Sequence, residues 1–200
     1  MTDATPTNPI TVPSITMVLL DRDGVINFDS PDYIKTPEEW HPIPGALEAI
    51  AHLQQHWPVA VCTNQAGVGR GLFSIDALYA IHCRFNEALQ SVGGAPVPIY
   101  FCPHHPDANC ECRKPNPGLL NQAISAHSQQ AIGVMYVGDS EKDLLAAERA
   151  NCIPVLVKTG NGTTTASTEI GQQCQHVYAD LGEFARTLTR TLTGTLTRPD

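Results

Sequence analysis

Five short apolar segments constrain the fold of this chain more than any other feature of its sequence. β-Branched residues dominate most of these segments, and few contain a polar residue, which is typical of strands covered on both faces. We therefore expect a largely parallel sheet that lies between two other layers. The segments are Met17–Leu20, Val59–Cys62, Ile99–Cys102, Val134–Val137 and Val155–Val157.

Amphipathic helical patterns lie between these strands. In the segment Ser74–Val92 the apolar residues recur at helical spacing, and Ser74 is a candidate N-cap. Strands that alternate with helices predict an α/β fold with helices on both faces of the sheet. The predicted helices are Pro44–Trp57, Ser74–Val92, Pro117–Ser128 and Glu141–Ala150, followed by a last helix that begins near Asp180.

Length and charge limit the organisation and the partners of the chain. Its 200 residues suit one domain, predicted over residues 15–192, between a flexible leader at 1–14 and a flexible tail at 193–200. A formal net charge of −8 disfavours nucleic acid as a partner. No apolar run approaches the roughly 20 residues of a membrane span, and the leader does not resemble a signal peptide. We expect a cytoplasmic protein with no membrane or nucleic-acid partner.

Two aspartates follow the first predicted strand at positions i and i+2. In an extended chain the side chains of Asp21 and Asp23 point the same way, so both can face one pocket at the carboxyl end of the sheet. Two carboxylates held close together repel each other, and a bound cation would relieve that repulsion. Gly24 lets the chain turn away. The alternative is a solvated strand end that carries two acids.

Polar residues also end the second and fourth strands. The hydroxyl of Thr63, with Asn64 and Gln65 beside it, can hold phosphate oxygens with the help of free backbone N–H groups. Asp139 ends the fourth strand and can join the same pocket, and Asp143 follows one helical turn later, where it can support Asp139. Taken singly, these residues are also ordinary turn formers and helix N-terminal acids.

Two adjacent cations, Arg113 and Lys114, stand out in this acidic chain. Lysine can act as a point charge beside a phosphate, and arginine can act as a fork for a second anionic group. A basic pair at the surface is the alternative. These cations follow a proline-rich loop, which needs something other than an apolar core to order it.

The loop itself carries a candidate metal site. Cys102, His104, Cys110 and Cys112 offer three thiolates and one imidazole, a set that suits tetrahedral zinc with a structural role. We expect the neighbouring His105 not to be a ligand. The chain has seven cysteines, an odd number with uneven spacing, which argues against a disulfide framework. A zinc-binding loop at 102–112 would order the backbone that presents Arg113 and Lys114.

The ordered set of Asp-Arg-Asp-Gly, Thr-Asn-Gln, a later lysine and Val-Gly-Asp resembles the haloacid dehalogenase (HAD) superfamily of phosphatases, from about Met17 to Gly160. The cysteine- and histidine-bearing loop narrows this resemblance to the histidinol-phosphatase-related branch, within which the chain is most similar to the D-glycero-D-manno-heptose 1,7-bisphosphate 7-phosphatase family. The resemblance implies a Rossmann-like fold with no large cap domain. For a small chain without a cap we expect a monomer.

The resemblance also implies a mechanism. Asp21 would attack phosphorus and form an aspartyl-phosphate, and Asp23 would protonate the leaving sugar oxygen. Magnesium would be held by Asp21, Asp139 and the backbone carbonyl of Asp23. Thr63 and Lys114 would stabilise the transferring phosphoryl group, and Arg113 would recognise a second phosphate. The remaining candidate substrate contacts are Asn64, Gln65, Asp29 and Tyr33.

The implied substrate is a small phosphorylated sugar, heptose 1,7-bisphosphate, on the route to nucleotide-activated heptose for lipopolysaccharide core. Family members often carry His-Gly-Tyr after the first motif, where this chain has Asp29 to Tyr33. Three alternatives remain open at this point. They are a histidinol-phosphate phosphatase, a polynucleotide 3′-phosphatase, and a zinc-stabilised interaction module without activity.

Overall fold

The computed structural model describes residues 15–127 and 131–194, with side chains described as far as residue 190. The predicted leader at residues 1–14 lies outside the described residues, as do residues 195–200 of the predicted tail. Within the described part, the chain forms one sheet with helices packed on both of its faces.

The sheet has six parallel strands in the order β3-β2-β1-β4-β5-β6. This is the strand order of a doubly wound Rossmann-like sheet, and the predicted fold class is confirmed. The five predicted strands are all present. The strands are β1 (Met17–Leu20), β2 (Val59–Asn64), β3 (Ile99–Cys102), β4 (Val134–Gly138), β5 (Ile153–Val157) and β6 (Val177–Tyr178).

Alternation along β1 shows how the sheet joins two cores. Val18 and Leu20 face one apolar cluster, whereas Met17 and Leu19 face the other, and all four side chains are fully buried. A strand whose successive side chains point to opposite faces can be apolar throughout when both faces are covered. The long apolar run therefore follows from the central place of β1 between β2 and β4.

The helices fill the connections between strands. In α3 the side chain of Ser74 accepts a hydrogen bond from the Ala77 amide at 3.1 Å, so the predicted N-cap is confirmed. The helices are α1 (Ala46–Leu53), α2 (Ala66–Gly69), α3 (Ile75–Ser91), α4 (Gly118–His127), α5 (Glu141–Arg149), α6 (Gly162–Thr165), α7 (Glu169–Gln173) and α8 (Leu181–Gly194). Clusters around α1, α3 and α8 cover one face of the sheet, and α4 and α5 cover the other.

No cap domain interrupts the described residues. The connection from β1 to α1 spans residues 21–45 and contains one short 3-10 helix, Pro37–Glu39. The connection from β2 to α3 contains α2 and a tight turn. The carboxyl ends of the strands are therefore left open to substrate. Among the helices of the described segments, none combines the length and the apolar character of a membrane span.

Candidate active site and metal centres

A pocket of about 250 Å³ opens at the carboxyl ends of β1, β2 and β4. In a doubly wound sheet this is the crevice where the strand order reverses and where ligands bind. The structure brings every residue predicted for the catalytic and substrate sites to this pocket. Its lining includes Asp21, Asp23, Asp29, Tyr33, Thr63, Asn64, Gln65, Arg113, Lys114 and Asp139.

Asp21 lies at the bottom of the pocket beside a buried lysine. The Lys114 ammonium group is 2.7 Å from Oδ1 of Asp21, and the backbone N–H of Arg22 donates to the same oxygen at 2.8 Å. Burial raises the pKa of Asp21 well above its usual value, although the charge of Lys114 opposes that change. Both of these donors bond Oδ1, and no hydrogen bond to Oδ2 is present within residues 15–127 and 131–194.

The ammonium group of Lys114 is also hydrogen-bonded to Asp143 and Tyr136. Its Nζ atom donates to Oδ1 of Asp143 and to the hydroxyl of Tyr136, at 2.7 Å in each case. Burial by itself would lower the pKa of Lys114, but the carboxylates of Asp143 and Asp21 raise it above the usual lysine value. Lys114 is therefore a fixed positive charge in the floor of the pocket.

Asp143 does not hydrogen-bond Asp139, which differs from the support role we expected for it. Instead, its Oδ1 atom bonds Lys114, and its Oδ2 atom accepts from the backbone N–H and the hydroxyl of Ser140 at 3.1 Å and 2.6 Å. The contact with Ser140 is a capping box at the start of α5. Asp143 thus ties the fourth-strand motif to Lys114.

Asp139 is positioned by a loop that follows β5. The backbone N–H of Asn161 donates to its Oδ2 atom at 2.7 Å, and the Asn161 side chain donates at 3.2 Å. A Cβ atom added at Gly24 or Gly160 would overlap this carboxylate, and both glycines have positive φ angles, 81° and 54°. These two glycines therefore make the space that Asp139 occupies.

Three buried aspartates lie close together in this site, and two of them, Asp21 and Asp143, pair with Lys114. Ligand atoms of Asp21, Asp139 and Asp143 lie within 4.8 Å of one another. Burial, together with the charge of Asp143, raises the pKa of Asp139 to about 6. A divalent cation with oxygen ligands would offset this excess of negative charge, so the donor set fits magnesium. The Asp23 side chain is not part of this group.

Gln65 connects Asp23 to Thr63. Its Nε2 atom donates to Oδ2 of Asp23 and to Oγ1 of Thr63, at 2.9 Å in both contacts. Because the Thr63 hydroxyl accepts this bond, its own proton is available to an oxygen of a bound phosphoryl group. Gln65 is 3% exposed, so its amide nitrogen is fixed in this bridging position.

Asn64 fixes the backbone next to the two cations. Its side chain donates to the carbonyl of Lys114 and accepts from the N–H of the same residue, at 3.1 Å in each bond. Beside it, the Nη1 atom of Arg113 is buried and has no hydrogen-bond partner among the described residues. A buried guanidinium nitrogen without an acceptor is costly, and Arg113 lines the pocket.

The loop that follows β3 brings the four predicted zinc ligands together. The Sγ atoms of Cys102 and Cys110 are 3.5 Å apart, and Nδ1 of His104 is 3.2 Å from Sγ of Cys112. In tetrahedral zinc sites with Zn–S bonds of about 2.3 Å, ligand atoms lie roughly 3.5–3.8 Å apart. The His104–Cys112 separation is shorter than this range, but all four ligand atoms lie within 4.8 Å of one another, and three thiolates with one imidazole are a donor set that fits one zinc ion. His105 instead accepts from the backbone N–H of Asp107, and it lies outside the group as expected.

Comparison with known proteins agrees with this geometry. A family model described as HAD-hydrolase-like matches residues 111–184. A D-glycero-β-D-manno-heptose-1,7-bisphosphate 7-phosphatase from Pseudomonas aeruginosa is 47% identical over 88% of this chain and 98% of its own length. The chain belongs to this family of HAD phosphatases. A Bordetella bronchiseptica relative of the same name is 44% identical over 86% of this chain and 97% of its own length.

Solved structures of the heptose bisphosphate phosphatase family share the fold. The B. bronchiseptica enzyme, crystallised with magnesium and phosphate, has a TM-score of 0.82 and 43% identity, covering 88% of this chain and 99% of that one. The Burkholderia thailandensis D,D-heptose 1,7-bisphosphate phosphatase has a TM-score of 0.65 and 33% identity, covering 92% of this chain and 99% of that one. The predicted membership of the HAD superfamily is confirmed.

Four residues that contact or line this pocket were not named as candidates from the sequence. Tyr136 lies inside β4 and reads as an apolar strand residue, and Asn161 lies in a loop far along the chain. Arg22, which stands between the two aspartates, is buried and lines the same pocket, and its buried charge needs a partner. Lys142, an exposed residue in the first turn of α5, also lines the pocket.

Proposed function

We propose that this protein is a magnesium-dependent phosphatase that removes the C7 phosphate of D-glycero-β-D-manno-heptose 1,7-bisphosphate. The observation that carries the proposal is the position of Asp21, whose carboxylate meets Lys114 in a pocket shared with Thr63 and Asp139. The names of the relatives supply the sugar and its β anomer.

Asp21 is the nucleophile in this proposal. Its Oδ2 atom attacks phosphorus while Oδ1 stays bonded to Lys114 and to the Arg22 backbone. The bond from phosphorus to the sugar oxygen breaks, and an aspartyl-phosphate forms. Water then attacks the phosphorus atom, and the Asp21 carboxylate is released unchanged.

Asp23 moves the protons in both steps. Its carboxyl group gives a proton to the departing sugar oxygen, and the resulting carboxylate takes one from the attacking water. Gln65 links this carboxylate to Thr63, which places the proton-transfer group and the phosphoryl-binding hydroxyl in one hydrogen-bonded unit.

Charge neutralisation comes from fixed groups around the phosphoryl site. Asp21, Asp139 and the Asp23 carbonyl would hold magnesium, which would supply positive charge against the repulsion between the Asp21 carboxylate and a phosphate dianion. Lys114 adds a second positive charge and Thr63 a hydrogen bond to the transferring group. Because Lys114 is buried and bonded on several sides, it needs little rearrangement during the reaction.

Recognition of the anomeric phosphate falls to Arg113. Its buried, unpartnered Nη1 atom favours a substrate with a second phosphate over histidinol phosphate, whose second charged group is a cation and offers no acceptor. Asp29 and Tyr33 contact the sugar from the loop after the first motif, and Asn64 and Gln65 line the same mouth.

Zinc in the Cys102–Cys112 loop has a structural role in this proposal. Four protein ligands complete a tetrahedral shell, so such a site orders the backbone that presents Arg113 and Lys114. The free cysteines and the thiolate cluster support a reducing compartment, and we propose that the protein acts in the cytoplasm as a monomer.

Phosphate release from a substrate panel tests the proposal. The panel contains both anomers of heptose 1,7-bisphosphate, histidinol phosphate and a 3′-phosphorylated oligonucleotide, each with magnesium. We expect the highest kcat/KM for the β anomer. A preference for histidinol phosphate would overturn the substrate and the role of Arg113, and no turnover of any compound would leave the zinc-stabilised interaction module.

A further inference from the structure

A buried arginine lies between the two aspartates of the first motif. Arg22 is 1% exposed, although its charge would ordinarily keep it in water. Arg22 lines the pocket together with its neighbours Asp21 and Asp23, yet almost none of its side chain reaches solvent. A buried guanidinium requires partners for its N–H groups and for its charge.

The Arg22 guanidinium forms a bidentate contact with the Asp23 carboxylate. Its Nε atom donates to Oδ1 of Asp23 and its Nη2 atom donates to Oδ2, at 3.0 Å in each bond. A fork of this kind fixes the rotation of a carboxylate as well as its position. Arg22 therefore fixes the position of the Asp23 carboxylate.

His82 completes the surroundings of the guanidinium. Its Nε2 atom is 3.5 Å from Nη1 of Arg22, and its ring packs edge-on against Phe101 with 5.5 Å between ring centroids. Burial and the positive charge of Arg22 lower the pKa of His82 to about 3, so the ring is neutral and Nε2 can accept from the guanidinium. His82 thereby limits the positions that Arg22 can adopt.

Two amides also contact the Asp23 carboxyl group. Nδ2 of Asn27 donates to Oδ1 and Nε2 of Gln65 donates to Oδ2, at 2.9 Å in each bond. We propose that Arg22, backed by His82, is a positioning residue that sets the orientation of Asp23 for proton transfer to the leaving oxygen. The inference rests on the proposed function, because it assigns Arg22 to the proton-transfer step of that reaction.

Two substrates with different leaving groups can distinguish a positioning role of Arg22 from a general structural role. A sugar alkoxide must be protonated as its bond to phosphorus breaks, whereas p-nitrophenolate leaves without a proton. Loss of Asp23 orientation should therefore slow phosphoenzyme formation from the sugar phosphate and leave its formation from p-nitrophenyl phosphate nearly intact.

Rapid-quench measurement of phosphoenzyme formation by the full chain with magnesium tests the inference. For Arg22→Lys, which keeps the charge and removes the fork, we expect about 10- to 100-fold slower formation from heptose bisphosphate. Formation from p-nitrophenyl phosphate should change by less than about threefold, and a fast release of p-nitrophenolate should precede slow turnover. Equal slowing with both substrates would overturn the inference.

A second pair of variants covers the case in which Arg22→Lys fails to fold. His82→Leu removes the acceptor behind the guanidinium and should show the same substrate-selective loss, and His82→Gln should recover most of it. Arg84→Lys, an exposed change on the same helix, is the matched control. If neither His82→Leu nor Arg22→Lys shows the substrate-selective loss, the positioning role is contradicted.

Failure of the inference can be told from failure of the proposed function. Asp23→Asn should slow phosphoenzyme formation from the sugar phosphate but not from p-nitrophenyl phosphate, whatever the role of Arg22. Adding Arg22→Lys to Asp23→Asn should then slow the reaction little further. If Asp23→Asn is not selective, the proton-transfer assignment itself is wrong. If Asp23→Asn is selective but Arg22→Lys adds its full effect to it, the positioning role is wrong and the proposed function stands.

Discussion

Lys114 and Asp21 form a direct ion pair at the floor of the pocket, with Nζ 2.7 Å from Oδ1. Their motifs are 93 positions apart in sequence, and the chain brings them together by placing the loop after β3 beside the end of β1. Asp143 bonds the same ammonium group from the other side, also at 2.7 Å. One lysine thus compensates two buried carboxylates.

Removal of this lysine should affect both stability and catalysis. Lys114→Met leaves two buried carboxylates without their cation, and we expect a loss of about 3–5 kcal/mol in the free energy of unfolding. The phosphoryl group also loses a fixed charge, so kcat should fall by about 100- to 1,000-fold. Urea unfolding and steady-state kinetics measure the two effects.

Lys158→Met is the matched control for that change, because Lys158 is exposed and should tolerate it. Adding Asp143→Asn to Lys114→Met should restore part of the lost stability, since it removes one of the unpaired charges. If Lys114→Met lowers the free energy of unfolding by less than about 1 kcal/mol, the ion pairs of Lys114 contribute no more than exposed ion pairs do, and this prediction is wrong.

The metal loop offers a prediction that does not depend on substrate. Cys110→Ser should lose bound zinc and lower the melting temperature, because the loop has four ligands for one ion and little apolar core. Cys83→Ser is the control, since Cys83 is exposed and lies outside the ligand group. Elemental analysis and thermal unfolding provide the readout, and equal zinc content in both variants would exclude this site.

The neutral state of His82 predicts an acid-sensitive stability. Burial and Arg22 lower the pKa of His82 to about 3, whereas an unfolded histidine titrates near 6.5. Between these values the unfolded chain binds a proton that the folded chain does not, so stability falls as the pH falls below about 6.5. The loss from this group approaches about 1.4 kcal/mol per pH unit.

Substitution isolates this contribution. His82→Gln should flatten the decline between pH 6.5 and 4 relative to the unaltered chain, and His41→Gln, at an exposed histidine, should leave it unchanged. Urea unfolding at several pH values provides the comparison. An identical pH slope with and without His82 would mean that its ring titrates in the folded protein as it does in the unfolded chain.

Arg113 predicts a substrate-dependent defect. Replacement by Met removes the buried donor, and we expect kcat/KM for the bisphosphate to fall by about 10- to 100-fold, the usual value of a hydrogen bond to a charged group. Phosphate esters without a second phosphate should lose far less. A comparison of kcat/KM for both kinds of ester measures the difference, and equal losses would contradict recognition of the second phosphate.

The parts of the fold that follow local rules were predictable from sequence. Five strands were recognised because each is a short apolar segment, including β3 at one edge of the sheet. The zinc ligands were recognised because they share one short loop. The sixth strand, Val177–Tyr178, was missed because two residues give no periodicity. The short helices α2, α6 and α7, of four or five residues, were missed for the same reason.

The contacts within the site were harder to predict, because they depend on how distant elements pack. Residues at strand ends converge in any parallel sheet, so Asp21, Thr63 and Asp139 could be placed together. Nothing local indicates that Asn161 would donate to Asp139, or that the buried hydroxyl of Tyr136 would accept from Lys114. These partners became visible once the strand order and the loop after β5 were known.

Trapping of a phosphorylated aspartate tests the central claim most directly. The protein is mixed with magnesium and heptose 1,7-bisphosphate and quenched during turnover. Its acyl phosphate is then reduced with borohydride, and the peptides are examined by mass spectrometry. We expect homoserine in place of Asp21, and its absence in Asp21→Asn. Continued turnover with no reduced residue, or with reduction at another aspartate, would contradict the assignment of Asp21 as the nucleophile.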